Sequence, residues 1–110
     1  MIHKYNACKT EIDGITFDSK REAQRYTELK LLERAGEISA LRLQPKYLIL
    51  DGFIYRGHKV QPTYYIADFE YQENGVTVVE DVKGMATAVF NLKAKLFKYC
   101  YGNIEFRIVK

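Results

Sequence analysis

No apolar run in this 110-residue chain approaches the roughly 18 residues needed to cross a bilayer, so no helical membrane span is expected. The opening Met1-Ile2-His3-Lys4-Tyr5-Asn6 lacks the apolar stretch of a secretory signal, and the expectation is an intracellular protein. Cysteine and histidine are scarce. Cys8 and Cys100 form no C-x-x-C pair and His3 and His58 no H-E-x-x-H, so a zinc site is not expected. Neither serine, Ser19 or Ser39, sits in G-x-S-x-G, and no G-x-x-x-x-G-K-[ST] occurs, which sets aside the acyl-transfer and nucleotide-hydrolysis classes that carry those motifs. Repeats, low-complexity segments and linkers are also missing. The chain therefore reads as one domain over residues 1–110, with an N-terminal arm at about 1–17.

What is present suits a single core. The chain is 47% hydrophobic and 28% charged, and a domain of this length buries roughly two-thirds of its unfolded surface, enough for stability without disulfides. The net charge of +3 is small, but its distribution is not even. Residues 1–80 hold 11 basic and 12 acidic side chains, whereas 81–110 hold 6 and 2. The final quarter is the basic part, which permits nucleic-acid binding without establishing it.

Ser19-Lys20-Arg21-Glu22 has the spacing of a capping box, and Ala23, Tyr26, Leu29, Leu31, Leu32 and Ala35 then form one apolar face. This predicts a helix over about 19–35, closed by a left-handed Gly36. Ahead of it, Asp13-Gly14 marks a turn within a short hairpin or arm. After it, Leu41–Leu50 predicts a first central strand with Pro45 near its start, and Thr63–Tyr71 a second. Asp51-Gly52 and Arg56-Gly57-His58-Lys59 are both available as the intervening turn or bulge. Asn74-Gly75 between apolar runs signals an antiparallel hairpin with a third strand over 76–83. Helical spacing resumes from Thr87 to Tyr101 through Ala88, Phe90, Leu92, Leu96, Phe97 and Tyr99 or Cys100, with Gly102 as terminator, and 104–110 alternates as a last strand. The element order α, three strands, α, strand predicts an α/β sandwich.

Inside these apolar strands stand Asp68, Glu80, Asp81 and Lys83. Ionised groups there are costly unless paired or metal-bound. Strand alternation puts Asp81 and Lys83 on one face with Val79, and Glu80 on the other with Val78 and Val82. Asp68 lies across the Asn74-Gly75 hairpin, within plausible reach of Asp81. Two close carboxylates favour a divalent cation, and an adjacent ammonium suits metal-assisted phosphodiester hydrolysis: Mg²⁺, with Mn²⁺ as substitute, held by Asp68 and Asp81, and Lys83 on the nucleophile or the phosphate. Glu80 is an alternative ligand to Asp81 if the strand is bulged or twisted. The bland alternative is a structural Asp81–Lys83 salt bridge, or acids facing solvent from a half-exposed sheet.

Ile66-Ala67-Asp68-Phe69, a dozen intervening residues, and Asp81-Val82-Lys83 within Val78-Val79-Glu80-Asp81-Val82-Lys83-Gly84 resemble the motif of the PD-(D/E)XK nuclease superfamily. Acid-x-Lys also occurs at Asp18/Lys20 and Glu28/Lys30, but only the third instance lies in an apolar strand after a hairpin bearing an acid. Ala67 precedes Asp68 where the superfamily's motif has proline. Gly14–Lys20 with Glu22-Ala23, Leu43-Gln44-Pro45, Ala67-Asp68-Phe69 and Glu80–Gly84 are further similar to small phage and prophage proteins grouped as a domain of unknown function.

The resemblance implies a restriction-endonuclease-like αβββαβ core, a mixed central sheet flanked by helices. It also implies a metal-dependent DNA endonuclease, structure-specific toward branched DNA such as a Holliday junction. Such an enzyme would work as a homodimer in phage DNA recombination, replication or packaging, in the cytoplasm of a bacterial host. Glu22 matches the first-helix glutamate that completes the metal site in many members, yet it is equally the capping-box partner of Ser19. Lys93, Lys95 and Lys98, with Lys83, Arg107 and Lys110, are candidate phosphate contacts, and Gln44 either lines the site or satisfies backbone. Two rival expectations are a non-catalytic nucleic-acid-binding module that retains the fold and a phage interaction protein.

Overall fold

In a computed structural model, which describes residues 9–110, the chain begins with a small hairpin of β1 (Thr10–Ile12) and β2 (Ile15–Phe17) turned at Asp13-Gly14. The first eight residues of the expected arm, with His3 and Cys8, lie outside the described residues. Helix α1 (Lys20–Arg34) follows, its Ser19 side chain accepting the Glu22 N–H and its end marked by Gly36 at φ +80. Its buried stripe is Ala23, Tyr26 and Leu29, narrower than the periodicity suggested. Leu31, two positions past Leu29 and so rotated well away from that stripe, is 56% exposed.

The stretch expected as one strand over 41–50 is two, β3 (Ser39–Leu43) and β4 (Lys46–Leu50). A separate hairpin, β5 (Phe53–Tyr55) and β6 (His58–Val60), turns at Arg56-Gly57, which settles the open choice of turn. The 63–71 stretch is likewise divided, into β7 (Thr63–Ile66) and β8 (Phe69–Glu73). Then come β9 (Val76–Val82), α2 (Ala88–Cys100, capped by the Thr87 side chain) and β10 (Glu105–Val109). Asn74 and Gly75 both have positive φ, 52 and 79, the two-residue primed turn that matches strand twist and pairs β8 with β9 in antiparallel register.

The main sheet runs β10-β9-β8-β3, with β10 parallel to β9 and the other pairs antiparallel. A parallel neighbour requires a crossover, and α2 supplies it. Successive residues of β9 serve opposite layers. Val78 packs with Phe17, Tyr26, Leu29, Phe69 and Tyr71 on the α1 side, and Val79 with Tyr47, Ile49, Tyr65, Phe90 and Phe97 on the α2 side. On α2 the buried stripe is Phe90, Ala94 and Phe97, while Leu92 and Tyr99 are exposed. The helix ends through the Tyr101 N–H on the Phe97 carbonyl, and Gly102 does not take the left-handed form expected of a terminator.

The divided strands make one bent ribbon. Pro45 has no N–H for a ladder, and Gln44 turns the chain at φ +51. Opposite them, Ala67 and Asp68 keep the halves joined: Gln44 N–H donates to Asp68 O at 2.9 Å and Ala67 N–H to Pro45 O at 3.1 Å. Below the bend β3 and β8 stay in the main sheet; above it β4 and β7 pair with each other alone. The β5–β6 hairpin leaves this upper ribbon through Gly52, where an added Cβ would come 3.0 Å from Val60 O and 3.2 Å from a Pro62 ring carbon.

Glu80 faces the α1 side and is fully buried. Arg25 reaches it from α1 with two hydrogen bonds, Nε to Oε1 at 2.8 Å and Nη2 to Oε2 at 2.6 Å, and Tyr71 donates its hydroxyl to Oε2. This bidentate pair ties the helix to the sheet centre. Removing one partner strands a buried charge, so Arg25→Met is expected to lower stability by about 3–5 kcal/mol in denaturant titration. The double variant Arg25→Met/Glu80→Leu should recover most of that loss.

Candidate functional site

The bend in the ribbon creates the site. Once β7 departs from the sheet, the Val82 N–H of β9 has no main-chain acceptor from that side, and the Asp68 carboxylate takes it at 2.7 Å through Oδ2. On the other side Lys83 N–H goes to Val109 O of β10. Asp68 N–H donates to Glu80 O, so backbone and side chain together hold Asp68 against the end of β9. Its carboxyl is pushed well above the usual range, first by burial and then by the charge of Asp81, with the Val82 N–H opposing and Glu22 adding to the rise.

Asp81 lies on the α2 face of β9 and is 4% exposed. Tyr65, buried on the same face of β7, donates its hydroxyl to Oδ2, and burial, then the adjacent carboxylate, raises the Tyr65 hydroxyl far above its ordinary value. That leaves Oδ1, which has the Lys83 ammonium 3.8 Å away. Lys83 Nζ in turn stands 4.8 Å from the centre of the Phe90 ring, a cation–π contact that fixes where the ammonium sits. Asp81, Lys83, Tyr64, Phe90 and Lys93 line an open cavity of about 300 Å³ between the upper ribbon and the start of α2.

Glu22 approaches from the first turn of α1. Ser19 caps its N–H, but among the described residues the Glu22 carboxylate makes no return bond, so the reciprocal half of the capping box is not formed. Instead it lines a smaller cavity of about 110 Å³ with Asp68, Gln44 and Phe17. Burial, then Asp18 and Asp81, raise its pKa against the pull of Lys83. Gln44 is exposed, lines the same cavity, and satisfies the corner with its backbone rather than its side chain.

Asp68, Asp81, Lys83, Glu22 and Gln44 thus converge on one corner of the sheet, joined by Lys93. Glu80 does not join them: alternation turns it to the opposite face, where Arg25 and Tyr71 occupy both oxygens. Lys95 and Lys98 line neither cavity; Lys98 lies against the Phe106 ring at 5.4 Å. Arg107 is on the Glu80 side too, engaged by Glu73, Glu105 and the Tyr71 hydroxyl. Tyr65 and Arg25 are the residues that sequence reasoning missed. Tyr65 carries a usable signal, an aromatic hydroxyl on a buried strand position leading to Asp68; Arg25 has none, because its partner is 55 positions away.

Carboxylate oxygens such as those of Asp68, Asp81 and Glu22 are the donors that a hard divalent cation takes. Asp68 and Asp81 would each offer the oxygen not used by Val82 and Tyr65, and Glu22 a third. Among the described residues no group of three His, Cys, Asp or Glu side chains is arranged to hold a metal ion. No helix among them is long and apolar enough to cross a membrane.

One family model matches residues 2–110, that described as Protein of unknown function (DUF1064). The chain belongs to this family. No curated protein matches it.

The metal-free site has a pH signature. Asp68 in the folded protein holds its proton more tightly than in the unfolded chain, so its contribution to stability is present at acid pH and is lost as pH rises from the normal carboxylate range toward its elevated folded pKa. In EDTA, melting temperature of the wild type relative to Asp68→Asn should fall from pH 4 to pH 8. A flat or rising difference would refute the burial and charge environment assigned to Asp68.

Proposed function

We propose that this protein is a Mg²⁺-dependent endodeoxyribonuclease of PD-(D/E)XK type, acting on branched or double-stranded DNA. The observation that carries the reading is the meeting of Asp68, Asp81 and Lys83 at the corner where β7 leaves β9, with Glu22 arriving from α1. The order of α1, the β3–β4 and β7–β8 ribbons, β9, α2 and β10 agrees with the restriction-endonuclease-like core implied by the motif. The motif positions and the basic final quarter of the chain support the same substrate class.

In this reading Asp68 and Asp81 would hold the cation, with Glu22 as the third carboxylate available to it. When bound, Mg²⁺ supplies charge neutralisation at the scissile phosphate and acidifies a water. The protein does the rest. Tyr65 fixes the Asp81 carboxylate so that its free oxygen faces the cavity. Lys83, seated between Asp81 and the Phe90 ring, is placed to orient the attacking water or to hold a phosphate oxygen. Lys93 on the same wall contributes a phosphate contact. The superfamily resemblance adds a homodimer presenting two such sites.

Purified protein incubated with branched and linear DNA and Mg²⁺ or Mn²⁺ should cleave, and EDTA should stop it. Asp81→Ala and Lys83→Ala should each lower the rate by about 10²-fold or more while leaving circular dichroism unchanged. Full activity in both variants would sink the site assignment. Binding with a steep salt dependence and no cleavage in the wild type would instead support the non-catalytic module.

A further inference from the structure

The β5–β6 hairpin is the part of the fold that the site does not use. Phe53 through Lys59 are all exposed, with Ile54 at 67% and Tyr55 at 62%. An isolated two-stranded hairpin is marginal in water, and burying none of its large side chains leaves it without the packing that usually supports one. Its composition is specific. From Gly52 to Ala67 there is no acidic residue, while the tip carries Arg56, His58 and Lys59 beside Ile54 and Tyr55. The basic and aromatic character continues down β7, where the Lys46 ammonium stands over the Tyr64 ring at 4.3 Å, and Tyr64 reaches the cavity of Asp81, Lys83 and Lys93.

We propose that this hairpin is a second nucleic-acid contact, a projecting wing whose Arg56 and Lys59 bind backbone phosphates and whose Ile54 and Tyr55 pack into a groove or against unstacked bases at a branch point. The proposal rests on the nuclease reading for its substrate. Charge decides the occupant. A two-fold contact between hairpins of two copies would bring Arg56 and Lys59 against each other, whereas a phosphate backbone neutralises them. Stacking on an exposed aromatic and cationic contacts along one ribbon are the means by which proteins hold nucleic acid without sequence readout. The tip residue Gly57 is 11 positions from Asp68, at most on the order of 35–40 Å of extended chain, which corresponds to about ten base pairs of duplex.

The test is fluorescence anisotropy in EDTA with a synthetic four-way DNA junction, in one form with arms of roughly 20 base pairs and in another with arms of roughly 6, the shorter covering about half of the greatest separation the chain allows between Asp68 and the tip. On long arms Arg56→Ala/Lys59→Ala should weaken binding on the order of 10-fold or more and reduce the slope of log K against log salt by about 2. Ile54→Ser/Tyr55→Ser should weaken it with the slope unchanged, and both pairs should act less on short arms. All four residues are exposed, and unchanged melting temperatures would show that the variants fold. If the wild type cleaves DNA and the hairpin variants bind and cleave as it does, the wing is wrong and the nuclease stands. If the variants change oligomeric mass and leave DNA binding intact, the hairpin is a protein contact and the proposal falls. A wild type that binds neither junction overturns both readings.

Discussion

A single substitution of side chain for main chain underlies the architecture around the site. At the corner of the sheet the Asp68 carboxylate accepts the Val82 N–H that a continuing strand would have accepted. That bond lets β7 leave the sheet without orphaning a backbone donor, and it brings a carboxylate to the end of β9, beside Asp81. Two demands meet on one group here. The carboxylate that closes the ladder also accumulates the unfavourable proximity of Asp81 and Glu22, which is why its proton is held so firmly.

Alternation along β9 divides two adjacent acids into different roles. Glu80 faces inward toward α1 and is neutralised by Arg25 with good geometry, a pair that joins helix to sheet. Asp81, one residue on, faces the α2 layer, accepts the Tyr65 hydroxyl on Oδ2, shares a side-chain hydrogen bond with Asp68, and has Oδ1 toward Lys83. The neighbouring side chains therefore differ in availability, although they are chemically almost the same. The α1–Glu80 pair gives the strand rigidity, and that rigidity positions the acid beside it.

Local signals in the sequence were read well where the physics is local. Asn74-Gly75, the Ser19 cap and the Gly36 terminator each act within a few residues, and each lies where expected. The period-two reading of β9 likewise separated Glu80 from Asp81 correctly. What escaped was decided at long range. Nothing before Pro45 or Asp68 announces that both strands bend at the same height, because the bend exists only in their pairing. The partners of the tyrosines were also invisible: Tyr47, Tyr65 and Tyr71 each donate to an acid at least nine positions away, Glu70, Asp81 and Glu80 respectively. The helix faces were drawn too wide, since Leu31, Leu92 and Tyr99 satisfy the spacing but meet no layer. The metal, the substrate and the dimer rest on motif and donor chemistry, for which the fold supplies a setting.

Gly52 sets the β5–β6 hairpin mechanically apart from the rest of the molecule. Its Cβ position is closed off by Val60 and Pro62, so the point where the hairpin departs is pinned. Beyond it the tip touches no layer, and residues can be added, lost or exchanged there without disturbing the corner that holds Asp68 and Asp81. Changes of length or charge in this arm are therefore mechanically separate from the corner, which keeps its hydrogen bonds whatever the tip carries.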